Sequence, residues 1–167
     1  MKFSLMRHGP AEDHADSGMD SDRALSAPGR ERVRLVAELL RSLEEEPLHI
    51  ITSPLVRAVQ TAEIVALVTG LGDRGGRVEV RRELAPGGGG AALVRKLAHQ
   101  GQRRVCLVGH EPDLSLTAST LLGAFERAFD KAMVVGGHIS ADGGSARMRF
   151  VLDPKALRLD PDLRGDK

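Results

Sequence analysis

The 167-residue chain sets 24 Lys and Arg against 23 Asp and Glu, a net charge of +1, which excludes the broad positive field of a nucleic-acid or anionic-membrane binder. Trp and Tyr are absent and Phe3, Phe125, Phe129 and Phe150 are the only Phe residues, so recognition of bases or sugars by stacking is excluded as well. The length fits one domain, predicted over 1–154 with a C-terminal tail over 155–167, and allows about two thirds of the unfolded surface to be buried.

Phe3-Ser4-Leu5-Met6 is a β-compatible apolar run that ends in Arg7-His8-Gly9. It reads as a buried strand whose carboxyl end carries a cation and an imidazole, with Gly9 as the turn out of it. In open α/β sheets that edge is where ligands bind. Pro10 to Leu25 follows as a polar loop, with Asp13 as an acidic residue and His14 as a solvated one. Ser26 is a helix cap with Pro28 tolerated in the first turn, and Val33, Val36, Leu40 and Leu43 recur at helical spacing up to Pro47.

Leu48 to Thr52 is a second strand, and Ser53-Pro54 predicts a helix starting at once, with Ser53 as its cap and Arg57 in its first turn. Val78 to Val80 is a brief strand, followed by Glu83 and the run Gly87-Gly88-Gly89-Gly90 ahead of a helix over 91–100. The glycines do not make a phosphate loop, because Gly90-Ala91-Ala92 lacks the Lys and the Ser or Thr that such a loop requires. They are a linker or a flexible lid.

Arg104 to Gly109 is a strand ending in His110, and Glu111-Pro112-Asp113 opens another helix with Leu114, Ala118, Leu121 and Leu122 as its buried stripe. The lone Cys106 lies inside this strand as a small core residue, and with no disulfide available the chain suits a reducing compartment. Residues 132–139 and 146–152 flank Asp142-Gly143-Gly144 as a terminal hairpin. His49, His99 and His138 have no chemical company and are placed on the surface or in loops. No segment has the length of a membrane span or the pattern of a leader, so a cytoplasmic, soluble location is expected.

Three features recur at strand ends: Arg7-His8-Gly9, the stretch Ser53-Pro54-Leu55-Val56-Arg57-Ala58-Val59-Gln60-Thr61-Ala62-Glu63, and Gly109-His110-Glu111-Pro112. Together, from Phe3 to about Pro154, the chain resembles the histidine phosphatase (phosphoglycerate mutase-like) superfamily. The stretch Arg23-Ala24-Leu25-Ser26-Ala27-Pro28-Gly29 and the short chain are similar to the small bacterial phosphohistidine phosphatases, although Ser26 stands where that group usually has threonine. The fold expected is α/β, a three-layer sandwich with a mostly parallel central sheet, helices on both faces and a C-terminal antiparallel hairpin.

The residue types suit phosphoryl chemistry. Imidazole is largely unprotonated near neutral pH and can attack phosphorus without a separate base. Arg7 and Arg57 are planar forks matched to phosphate oxygens, and His110 is a compact further donor, so Arg7, His8, Arg57 and His110 are the expected phosphate-binding set. The arginine charges are expected to lower the pKa of His8. The resemblance implies that His8 is the nucleophile of a phosphohistidine enzyme intermediate and that no metal or other cofactor takes part. It leaves the general acid open, with Glu111 first, Glu83 and Asp13 behind it, and none required if the leaving group is itself an imidazole.

The resemblance further implies a hydrolase acting on a phosphohistidine-bearing protein in signal transduction. A phosphatase of small sugar or nucleotide phosphates, or a non-catalytic phosphoprotein-binding module, are the alternatives. A mutase is disfavoured by the short segment between Thr61 and His110, which leaves little room for a closing cap.

Overall fold

The computed structural model describes residues 1–123 and 125–160. At its centre lies a seven-stranded sheet of β1 (Lys2–Arg7), β2 (His49–Thr52), β3 (Arg77–Val80), β4 (Arg104–Gly109), β5 (Val134–Ile139), β6 (Ala146–Asp153) and β7 (Arg158–Leu159). The spatial order is β3-β2-β4-β1-β5-β6-β7. The first four of these run parallel, and β5, β6 and β7 continue the sheet antiparallel. Arg7 pairs with Gly109, and Thr52 with Val108, so β1, β2 and β4 end on one edge.

Among the described residues four helices connect the strands: α1 (Ala27–Ser42), α2 (Val56–Val68), α3 (Gly90–His99) and α4 (Asp113–Leu122). Side chains alternate across a strand. Phe3, Leu5, Val105 and Leu107 therefore pack against Leu93 and Leu97 of α3 and Leu114 and Ala118 of α4. Met6, Cys106 and Val108 face the other way, onto Val33, Val36 and Leu40 of α1 and Ala58 and Ala62 of α2. Burial on both faces is why the parallel strands read as unbroken apolar runs. Each fully buried Leu or Met in these layers contributes roughly 1.5–3 kcal/mol. Two helices lie on each face, and the terminal hairpin is β5 with β6.

Helix α1 starts as expected. The Ser26 hydroxyl accepts from Gly29 N at 3.1 Å, with Pro28 in the first turn. Helix α2 does not start at Ser53. It begins at Val56 with Leu55 as its cap residue, and Ser53 and Pro54 lie outside it, with a bend at Pro54 and Leu55. The run Gly87 to Gly90 is tied down at its start, because Gly87 N donates to Asp113 Oδ2 of α4 at 2.9 Å.

Histidine positions also differ from expectation. His49 is buried in β2 with Nε2 3.0 Å from Glu79 Oε2, and His138 lies within β5, while His99 is exposed at the end of α3. Within the segment expected as a tail, Leu159 and Arg158 pair with Leu152 and Asp153 of β6, and residues 161–167 lie outside the described set. No helix among the described residues is long and apolar enough to cross a membrane.

Candidate active site

His8 directly follows β1 and His110 directly follows β4. Since these strands are hydrogen-bonded neighbours, the register delivers both imidazoles to one place. The ring centroids lie 5.0 Å apart with the planes tilted by 51°. Both side chains are almost wholly removed from water.

Chain geometry around His8 is closely specified. Its own N–H donates to Gly109 O at 3.1 Å, and Gly9 N donates to Thr61 Oγ1 at 3.1 Å. Thr61 in turn donates to Arg57 O at 2.7 Å within α2, so the turn after His8 is fastened to the helix that carries Arg57. A Cβ on Gly9 would stand 2.5 Å from Val33 Cγ2 of α1, which is why no larger residue fits there. His8 Nδ1 lies 2.7 Å from Gly9 O. A carbonyl only accepts, so Nδ1 carries the proton and Nε2 keeps its lone pair.

The two arginines are held from behind by backbone. Arg7 Nη1 donates to Phe129 O at 2.6 Å, and its Nε is buried with no hydrogen-bond partner among the described residues. Arg57, buried in the first turn of α2, gives Nη1 to Asp20 O at 2.7 Å and Nη2 to Asp20 Oδ2 at 2.9 Å.

Burial lowers the pKa of His8 from 6.5 to about 3, opposed by its bond to Gly9 and assisted by His110, Arg57 and Arg7. The expected arginine field is thus present, but loss of hydration is the larger cause. His110 is lowered to about 4, again first by burial and then by Arg57. Both rings are neutral over the physiological range. A neutral imidazole beside two guanidinium groups is a nucleophile in an anion-attracting setting.

The structure thus brings Arg7, His8, Arg57 and His110 together. The acid candidates are placed differently. Glu111 follows His110, but its carboxylate accepts from Ser115 Oγ at 2.7 Å and from Phe129 N at 3.2 Å. Glu83 lies 3.6 Å from Arg81 Nη1 in an ion pair, and Asp13 is exposed in the loop after β1. Among the described residues no group of three or more His, Cys, Asp or Glu side chains is arranged to hold a metal ion.

Sequence reading missed two polar partners. Asp20 occupies Arg57, and Ser53, expected to cap a helix, has its Oγ 2.8 Å from His110 Nε2. Asp20 lies 37 residues from Arg57 in a loop without periodicity, so nothing local announces the pairing. For Ser53 a signal existed, a small hydroxyl at the same strand edge as His110.

Residues 3–85 match the model of the histidine phosphatase superfamily, branch 1. Phosphohistidine phosphatase SixA of Escherichia coli K12 is 33% identical over 115 residues, covering 67% of this chain and 68% of that protein. The chain belongs to the histidine phosphatase superfamily. An uncharacterized protein of Picosynechococcus sp. is 39% identical to this superfamily member over 163 residues, 95% of each chain. Among solved structures, the protein histidine phosphatase SixA complexed with tungstate aligns with a TM-score of 0.84 at 27% identity, covering 95% of this chain and 100% of that one. A mycobacterial glucosyl-3-phosphoglycerate phosphatase shares the fold, with a TM-score of 0.66 at 21% identity over 88% of this chain and 96% of that one.

Proposed function

We propose that this histidine phosphatase is a metal-independent hydrolase that transfers a phosphoryl group to His8 Nε2 and then to water, with protein phosphohistidine as its preferred substrate. The observation that carries the reading is the His8 Nδ1 to Gly9 O contact of 2.7 Å, which leaves Nε2 unprotonated among Arg7, Arg57 and His110. Arg7 and Arg57 bind the oxyanion as bidentate forks and His110 donates to a further oxygen. Positioning and charge neutralisation are most of what phosphoryl transfer needs. Water then cleaves the His8 phosphoramidate, releasing inorganic phosphate and restoring the free ring.

The surroundings of the acids support this substrate class. An alkyl ester leaves as an alkoxide and needs a proton donor, whereas a phosphohistidine protonated on its distal nitrogen leaves as neutral imidazole. Glu111 accepts from Ser115 and Phe129 and Glu83 pairs with Arg81, so each candidate acid already has a structural partner, which suits a leaving group that brings its own proton. The likeness to SixA, named a phosphohistidine phosphatase, supports the same class. We place Glu111 as an anchor: it fixes Phe129 N while Phe129 O fixes Arg7.

The test compares turnover of phosphohistidine proteins with a panel of sugar and nucleotide phosphates, with and without chelator. Phosphohistidine should be preferred, chelation should change nothing, and acid-quenched enzyme should carry label on His8. His8→Ala should lose turnover and label yet still bind inorganic phosphate. Preference for a metabolite phosphate would move the assignment to a small-molecule phosphatase. Binding without turnover of any substrate would make the chain a phosphoprotein-binding module.

A further inference from the structure

We propose that Asp20 determines leaving-group specificity, its carboxylate at the mouth of the site receiving the distal N–H of a phosphorylated imidazole. The proposal rests on the phosphohistidine reading above and adds the residue that discriminates phosphoramidates from esters.

Asp20 reaches the site from a short 3-10 turn, Asp20–Asp22, in the loop after β1. Its carboxylate is gripped from two sides, by Arg57 Nη2 at 2.9 Å on Oδ2 and by Arg23 Nη1 at 2.7 Å on Oδ1. Its main-chain carbonyl also accepts from Arg57 Nη1. Yet the side chain remains 62% exposed. Each carboxylate oxygen has two acceptor positions, so both can take a further hydrogen bond. Asp20 is therefore a fixed, open acceptor attached to the guanidinium that we assign to the phosphoryl group.

Arg23 and Arg57 hold the Asp20 pKa below the usual carboxylate range, so the group is an anion at neutral pH. Its charge also reaches His110. An anion there cannot act as the acid for an ester. Next to the growing negative charge of a departing alkoxide it is repulsive. Next to an imidazolium it is attractive, and the two effects select in the same direction.

The step balances. The lone pair of His8 Nε2 forms the new P–N bond, and the old P–N bond breaks with its electron pair returning to the substrate ring. That ring leaves neutral because its distal nitrogen holds the proton whose N–H Asp20 accepts. Without the proton the leaving group would be an imidazolate anion. By favouring the protonated ring, Asp20 raises the fraction of bound substrate able to react.

Asp20→Asn is the decisive variant, since it retains the carbonyl bond to Arg57 and an oxygen for Nη2 while removing the charge. Turnover of phosphohistidine and of an aryl phosphate are measured on full-length wild type and variant, with inorganic phosphate as an inhibitor of both. The ratio of phosphohistidine to aryl phosphate turnover should fall at least tenfold, and phosphate should inhibit the variant more tightly. Equal losses on both substrates would overturn the assignment and reduce Asp20 to a positioner of Arg57, and an unchanged ratio would overturn it too. Wild type that turns over the aryl phosphate and not phosphohistidine overturns the functional reading itself, and Asp20's role with it.

Discussion

Ser53 Oγ and His110 Nε2 stand 2.8 Å apart with both residues buried, and the contact engages one of the two ring nitrogens of His110. Ser53 Oγ also accepts from Leu55 N at 3.3 Å and retains both its hydrogen and a second lone pair, so it can serve either tautomer of the ring. The donor role proposed for His110 toward a phosphate oxygen uses Nδ1–H, because Nε2 is taken by Ser53, and the serine then donates to Nε2. Ser53→Ala should free the ring and leave Nε2 unpaired, at a cost of about 1–3 kcal/mol. Aryl phosphate kcat/KM should drop by a factor on the order of ten, with the nitrogen-15 shifts of His110 moving toward a tautomer mixture. An unchanged rate and spectrum would show that the serine is dispensable.

Glu111 provides a second check. As an anchor of Phe129, and through it of Arg7, its replacement by Gln should lower turnover of alkyl, aryl and phosphohistidine substrates by similar factors. A loss confined to alkyl phosphates, on the order of a hundredfold, is what removal of a general acid would give. Steady-state rates on the three substrates decide between them.

Acid should destabilise the fold through the two site histidines. The unfolded chain takes up protons near pH 6.5, whereas folded His8 and His110 do so only near about 3 and about 4. Between those values the unfolded state binds more protons, so stability is fully present above 6.5 and is lost as pH falls. Imidazole NMR should show both rings neutral at about pH 5, where ordinary histidines are charged. A midpoint near 6.5 for either ring would contradict the burial described.

Gly29 tests the support beneath the nucleophile. A Cβ there would collide with the carbonyl of Pro10, part of the backbone, which has no side-chain freedom to yield. Alanine gains about 1 kcal/mol of helix propensity, but overpacking costs roughly 1–3 kcal/mol and disturbs the residues after His8. The thermal midpoint should fall by several degrees and kcat with it. A more stable Gly29→Ala would mean the loop can move aside.

Much of this was readable in the chain because it depends on local pattern. The strands ending at His8 and His110 are apolar runs stopped by a glycine, and α1 announces itself through Ser26, Pro28 and a regular apolar face. Partners chosen by loop path were not readable. Asp20 meets Arg57 because the 3-10 turn folds back onto α2, and Ser53 meets His110 because β2 and β4 are neighbours in an order the sequence does not state. His49 looked like a surface residue since its acceptor, Glu79, lies on another strand. The pairing of Leu159 with Leu152 was hidden for a different reason, being two residues long amid charged neighbours.

The 5.0 Å between the His8 and His110 rings is close to the spacing of any two hydrogen-bonded strands, about 4.8 Å. Pairing of β1 with β4 sets where the two imidazoles leave the sheet, so the base of the proposed phosphate seat belongs to the backbone ladder while the rotamers of the two rings set the gap between them. On the function proposed, such a seat would take a phosphoryl group regardless of what that group is attached to. Divergence toward new substrates in this architecture has to proceed through the segments above the seat, such as the loop bearing Asp20 and the stretch around Phe129, while the ladder beneath keeps its gauge.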